Sequence, residues 1–140
     1  MGLVDTEKIG NKKAAPSINE WLKAAKAEAD ASEVGMYLIH NGVVRESARS
    51  KVRDGELNTE PVVGMEFSYN KEGVEAAIDE ALKMDGIFYI KVWLNEGILE
   101  IGDDIMYVLI GGDMRPNVID ALQALVGNIK TNHVIEKELY

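Results

Sequence analysis

The sequence predicts an α+β fold, with helices packed against a mostly antiparallel sheet. Three observations lead there. A chain of 140 residues with 46% apolar and 28% charged side chains has the size and balance of one domain with a buried core. Apolar residues recur at helical spacing in three segments and as β-rich runs in five others. From Val62 onward these read strand–helix–strand–strand–helix–strand, the order of ferredoxin-like folds, with one further helix and strand ahead of it.

Residues 1–15 lack periodicity and are expected to form a mobile leader, leaving 16–140 as a single domain. Ser17 with Glu20 three positions on is a capping-box pattern, and Ile18, Trp21, Leu22 and Ala25 follow at helical spacing, so a helix is expected from Ser17 to Ala31. Met36 to Val44 is an apolar stretch suited to a buried strand. Asp54-Gly55 signals a turn, and Pro61 marks entry to an extended run, Val62 to Ser68. A helix over Lys71–Met84 places Val74, Ala77, Ile78 and Ala81 on one face, and Gly86 closes it. Ile87–Leu94 and Ile105–Ile110 read as strands joined by a connection containing Gly97 and Gly102. Pro116 opens a third helix with an apolar stripe of Val118, Ile119, Leu122, Leu125, Val126 and Ile129, and His133–Leu139 reads as a closing strand.

Fifteen Lys plus Arg against twenty-four Asp plus Glu leave a net charge of −9, which repels polyanions and argues against nucleic-acid or anionic-membrane binding. No cysteine is present, so disulfides, thiolate catalysis and cysteine-ligated metals are excluded. With only His40 and His133, a metal centre is not expected. Met1–Ala15 lacks the apolar core of an export signal. The longest apolar run, Ile105–Ile110, falls far short of the ~20 residues of a spanning helix, so a cytoplasmic location is expected.

Local chemistry concentrates in three places. Arg45, Arg49, Lys51 and Arg53 put four positive charges into nine residues. This is either a solvated loop or a seat for a phosphate-bearing ligand. Gly111-Gly112-Asp113-Met114-Arg115-Pro116 lies between a strand and a helix. Its glycines and helix start suit the close approach of an anion, with Arg115 as a planar donor, while Asp113 or Asn117 would equally serve as a helix cap. Lys130 ends the third helix and Lys137 lies in the last strand. If that strand returned beside Arg115, three cations would converge on one anion, and a lysine among cations becomes a usable base or nucleophile. Asp103-Asp104 reads as the polar end of a β-connection, and His40 as an interior residue.

Spacing adds a family likeness. From Gly97 the chain reads G-I-L-E-I-G-D, twelve residues after Gly102 comes Met114-Arg115, fifteen after Arg115 comes Lys130-Thr131, and Lys137 follows seven further on. This resembles the large, catalytic subunit of molybdopterin synthase, whose family carries G-x-L-x-x-G-D, His-Arg, Lys-Thr and a second lysine. Upstream, Asn41-Gly42-Val43-Val44-Arg45 is similar to the family's Gly-Lys-Val-Arg segment. The likeness spans Pro16 to Lys137, loosely between Glu46 and Lys71.

The resemblance implies an α/β-hammerhead type of fold and a dimer whose copies each receive the Gly-Gly tail of a small ubiquitin-like sulfur-carrier subunit, making a heterotetramer. The tail's thiocarboxylate sulfur passes to a cyclic pyranopterin monophosphate, and two transfers produce the dithiolene; neither cofactor nor metal is required in this subunit. Carried over by position, Lys130 is the principal catalytic lysine and Lys137 a second pocket lysine. Arg45 and Arg115 hold the pterin phosphate, and Met114 stands where the family has histidine in the same substrate-binding pair. Methionine cannot carry a proton or donate a hydrogen bond, so that contribution is lost or supplied elsewhere. Val43 replaces the family's lysine, and Val134, Ile135 and Glu136 replace a proline and aromatics. The alternatives are a paralogue that docks the carrier without turnover, or a regulatory domain that binds a small anion at Gly111–Arg115.

Overall fold

The computed structural model describes residues 12–46 and 62–140. The fold is α+β with antiparallel pairing throughout, and the predicted element order is present. Ser17 caps α1 (Ile18–Lys26), its hydroxyl accepting from the Glu20 amide at 3.2 Å. This helix ends five residues before the expected Ala31, because the positions three and four beyond buried Ala25 are Glu28 and Ala29, both exposed. A 3₁₀ turn over Ala31–Glu33 leads into β1 (Met36–Val43).

After β2 (Gly64–Tyr69), Asn70 caps α2 (Lys71–Leu82) by accepting from the Gly73 amide at 3.0 Å. Gly86, at φ 74°, turns the chain into β3 (Ile87–Leu94). The expected connection at Gly97 is in fact a strand, β4 (Gly97–Glu100), alternating buried Gly97 and Leu99 with exposed Ile98 and Glu100. Four residues beginning at a glycine of φ 90° are too short a pattern to stand out from a turn. β5 (Asp104–Gly112), α3 (Arg115–Asn132) and β6 (Val134–Leu139) complete the chain.

The strands divide between two three-stranded sheets, in the orders β1-β5-β3 and β4-β2-β6. One face of the first sheet carries α2 and α3, where Val108 and Ile110 of β5 meet Val118, Leu125 and Ile129 of α3 in the main core. Its other face carries α1. There the Trp21 ring stands edge-on to Tyr107 at 6.1 Å, and Trp93 lies 5.4 Å from the same Tyr107. Each fully buried aliphatic side chain contributes about 1.5–3 kcal/mol through lost water contact, so β5, buried on both faces, is the centre of the molecule.

Of the leader expected at 1–15, residues 1–11 lie outside the described residues, whereas Lys12 and Lys13 are tied to the body. Lys12 Nζ reaches Glu100 at 2.9 Å and Asp103 at 2.7 Å, and the Lys13 amide donates to Asn95 Oδ1 at 2.7 Å.

Candidate active site

Positions along β1, β5 and α3 decide which candidate residues meet. β1 and β5 pair from Met36↔Gly112 at one end to Val43↔Asp104 at the other. Since α3 begins just after Gly112, it runs back over the sheet in the direction of β1. Arg115 therefore sits over the start of β1. Lys130, fifteen residues on, sits roughly 22 Å further along at 1.5 Å per residue. That distance corresponds to about six or seven strand residues, which brings Lys130 over the His40–Val43 end of β1.

Arg45 emerges at that same end. The buried Val44 before it donates its amide to the Asp103 carbonyl at 3.0 Å and accepts from the Gly102 amide at 2.8 Å. The Glu46 carbonyl accepts from the Val62 amide at 2.8 Å, which sets Val62 beside the residue that follows Arg45. Arg49, Lys51 and Arg53 lie outside the described residues.

Lys130 Nζ approaches Glu136 Oε2 at 3.8 Å, a loose and partly solvated ion pair. His40 shares the face of β1 that packs Met36 and Leu38 against the main core. Burial lowers its imidazole pKa below the ordinary 6.5, and the positive charge of Lys130 lowers it further. Neutral imidazole is thus favoured beside a charged lysine. The sequence pattern marks His40 only as an interior residue and Glu136 only as a departure from the family pattern. Their nearness to Lys130 depends on the length of α3 and the turn into β6, which no local motif records.

Lys137 is exposed on β6, opposite Glu66 in register. Alternation along the strand sends it to the face opposite Glu136, the partner of Lys130. Because β6 continues from the C-terminal end of α3 and pairs with β2, it does not return beside Arg115. The convergence of Arg115, Lys130 and Lys137 on one anion is therefore not met within a single copy.

The Gly111–Pro116 segment is also resolved. Both glycines lie inside β5 rather than in a ligand loop. A Cβ on Gly111 would come within 2.7 Å of the Tyr37 ring, and one on Gly112 within 2.7 Å of the Gly86 carbonyl, so close packing accounts for both. Neither Asp113 nor Asn117 caps α3. The cap is Met114, without a side-chain hydrogen bond, and Asp113 instead accepts from the Asn117 side chain at 2.9 Å. Met114 is 61% exposed, so the start of α3 presents an apolar side chain and Arg115 to the outside.

Among the described residues no cluster of His, Asp and Glu could hold a metal ion, and no helix is long and apolar enough to cross a membrane.

No curated protein matches the sequence. Molybdopterin synthase from Staphylococcus aureus is similar in structure, with a TM-score of 0.68 and 16% identity over 94% of this chain and 88% of that one. A molybdopterin biosynthesis MoaE protein from Burkholderia ambifaria MC40-6 gives 0.67 at 17% identity, covering 91% and 84%. A complex of subunits 1 and 2 of the molybdopterin-converting factor from Helicobacter pylori 26695 gives 0.61 at 20%, covering 90% and 84%. At such identities the likeness is one of fold. The family model for MoaE protein, however, matches residues 13–132, most of the chain. The chain belongs to the MoaE family, that of the molybdopterin synthase large subunit.

Proposed function

We propose that this chain is the catalytic subunit of a molybdopterin synthase. Two successive transfers carry sulfur from the thiocarboxylated C-termini of two small carrier subunits to cyclic pyranopterin monophosphate, giving the dithiolene of molybdopterin and two carriers that end in ordinary carboxylates. The observation that carries this reading is the shared location of Lys130 and Arg45 at one end of the first sheet, in a chain of this family.

Both reactants are anions, and bringing them together requires cations held in place before they arrive. Arg45 offers a planar donor set for phosphate oxygens. Lys130 supplies a positive charge and exchangeable protons where sulfur replaces oxygen. Neutral His40, unlike Met114, has a ring nitrogen that can accept a proton, and the Glu136 carboxylate lies 3.8 Å from the Lys130 ammonium. Lys137, on the face of β6 opposite Glu136, stands apart from Lys130 within one copy, and we assign it to the path of the carrier tail as a second lysine.

Arg115 and Met114 are too far along α3 to serve the Lys130 of their own copy. The reading therefore assigns them to the site of a second copy, in a homodimer that binds two carrier subunits. The carrier's extended tail would be held by backbone hydrogen bonds and apolar contacts, consistent with the chain's overall negative charge.

Single-turnover synthesis tests the proposal. This protein, a thiocarboxylated carrier and cyclic pyranopterin monophosphate should together yield dithiolene and two carriers ending in ordinary carboxylates. Carrier binding without product would identify a docking paralogue instead, and loss of carrier binding would remove the functional reading altogether.

A further inference from the structure

Asn95 is the one buried polar side chain among the described residues, 2% exposed at the junction between β3 and β4. Both ends of its amide are used. Oδ1 accepts from the Lys13 amide at 2.7 Å and the Glu96 amide at 2.9 Å, while Nδ2 donates to the Lys13 carbonyl at 3.3 Å and the Asp104 carbonyl at 2.9 Å. One side chain thus ties the Lys12–Lys13 segment to the ends of three strands from two sheets. Lys13 adds a second anchor, its ammonium donating to the Tyr69 hydroxyl at 3.1 Å and lying 5.8 Å over the Trp93 ring.

From this anchor Lys12 reaches the turn between β4 and β5. Its ammonium bonds the Asp103 carboxylate, which also accepts from the Glu100 amide at 2.7 Å. The same turn holds Val44 by two backbone bonds, through the Asp103 carbonyl and the Gly102 amide. Val44 immediately precedes Arg45. A continuous set of short hydrogen bonds therefore runs from Lys12 through Asp103 to the residue from which Arg45 departs.

We propose that Lys12, Asn95 and Asp103 are positioning residues for Arg45, forming a strap that fixes the β4–β5 turn and through it the exit of the chain from β1. An arginine on a fixed base loses less freedom when it grips a phosphate than one on a swinging loop. The strap thus acts on capture of the anionic substrate rather than on the sulfur-transfer step. The functional half of this inference rests on the synthase reading of Arg45; the mechanical half does not.

Lys12→Met in the full chain separates the two. The Lys12 pairs are partly exposed, so this variant should fold. Hydrogen exchange at the Val44 and Gly102 amides should speed up about two- to fivefold, with core amides of β5 unchanged. In single turnover the pterin concentration giving half-maximal rate should rise about fivefold with the maximal rate within about twofold, and Lys12→Arg should restore both. In an Arg45→Ala background, Lys12→Met should add nothing to that concentration. Unchanged exchange at both amides would overturn the strap, and an equal loss with or without Arg45 would overturn its action through Arg45. Failure of the wild type to make product would count against the functional reading, and amide exchange would still decide whether the strap holds Val44.

Discussion

The two ends of α3 lead to a prediction about how the active site is assembled. Fifteen residues of helix separate Arg115 from Lys130, about 22 Å, whereas extended arginine and lysine side chains reach only about 6–7 Å each from their Cα atoms. Roughly 9 Å would remain between their charges, more than one phosphate group spans. If the substrate needs both, they come from different copies. Arg115→Ala and Lys130→Ala chains should then each be nearly inactive as homodimers and regain activity when mixed by co-refolding. With random pairing, half the dimers carry one chain of each kind, and each of these has one intact site of two, so recovery should be about a quarter of the wild-type rate. Dithiolene formed per dimer, measured over a range of mixing ratios, gives the number directly. A mixture as inactive as its components would refute the shared site, as would Arg115→Ala at wild-type rate.

Other consequences concern stability and pH. Ile129→Ala, at a fully buried position where α3 meets the sheet, should cost about 2–5 kcal/mol in denaturant unfolding. Asn95→Leu should cost about 1–3 kcal/mol, because partly buried backbone groups of Lys13, Glu96 and Asp104 lose their partners. The Lys12 hydrogen bond holds the Asp103 carboxyl below its ordinary 3.8, so its contribution is full above that pH and fades as pH falls through the lowered value; Asp103→Asn should flatten the acid limb of a melting-temperature profile. His40 is depressed below 6.5, so the unfolded chain binds its proton first and stability falls as pH drops from 6.5; His40→Gln should lessen that loss, and Lys130→Met should raise the His40 pKa seen by NMR.

Much of the fold was legible because its central elements carry strong local patterns. The run at Ile105–Ile110 and the 3.6-residue stripe from Val118 to Ile129 become β5 and α3, the two elements that build the main core. β4 was hidden by its length and its glycine, and the division into two sheets by the fact that pairing is non-local. Nothing in Val134–Leu139 itself says that it pairs with Gly64–Tyr69. The attachment of Lys12 and Lys13 was not legible for a different reason. Lys12 and Lys13 hold on through backbone and charged groups, which leave no apolar periodicity, so the segment reads as a leader.

The site was legible only as residue types. Arg45, Arg115, Lys130 and Lys137 stood out by spacing, but which of them meet depends on the direction of α3 over β1 and on the face alternation of β6. The glycines at 111 and 112 show the converse, a ligand-like pattern produced by the Tyr37 ring and the Gly86 carbonyl lying close against β5.

The catalytic role of Lys130 is tested by single-turnover sulfur transfer by Lys130→Ala against the wild type, with carrier affinity measured alongside. Dithiolene formation should fall at least about 100-fold, as for removal of a group acting in the transition state, with carrier affinity within about twofold. Wild-type turnover by Lys130→Ala would contradict the catalytic assignment on which the mechanism stands.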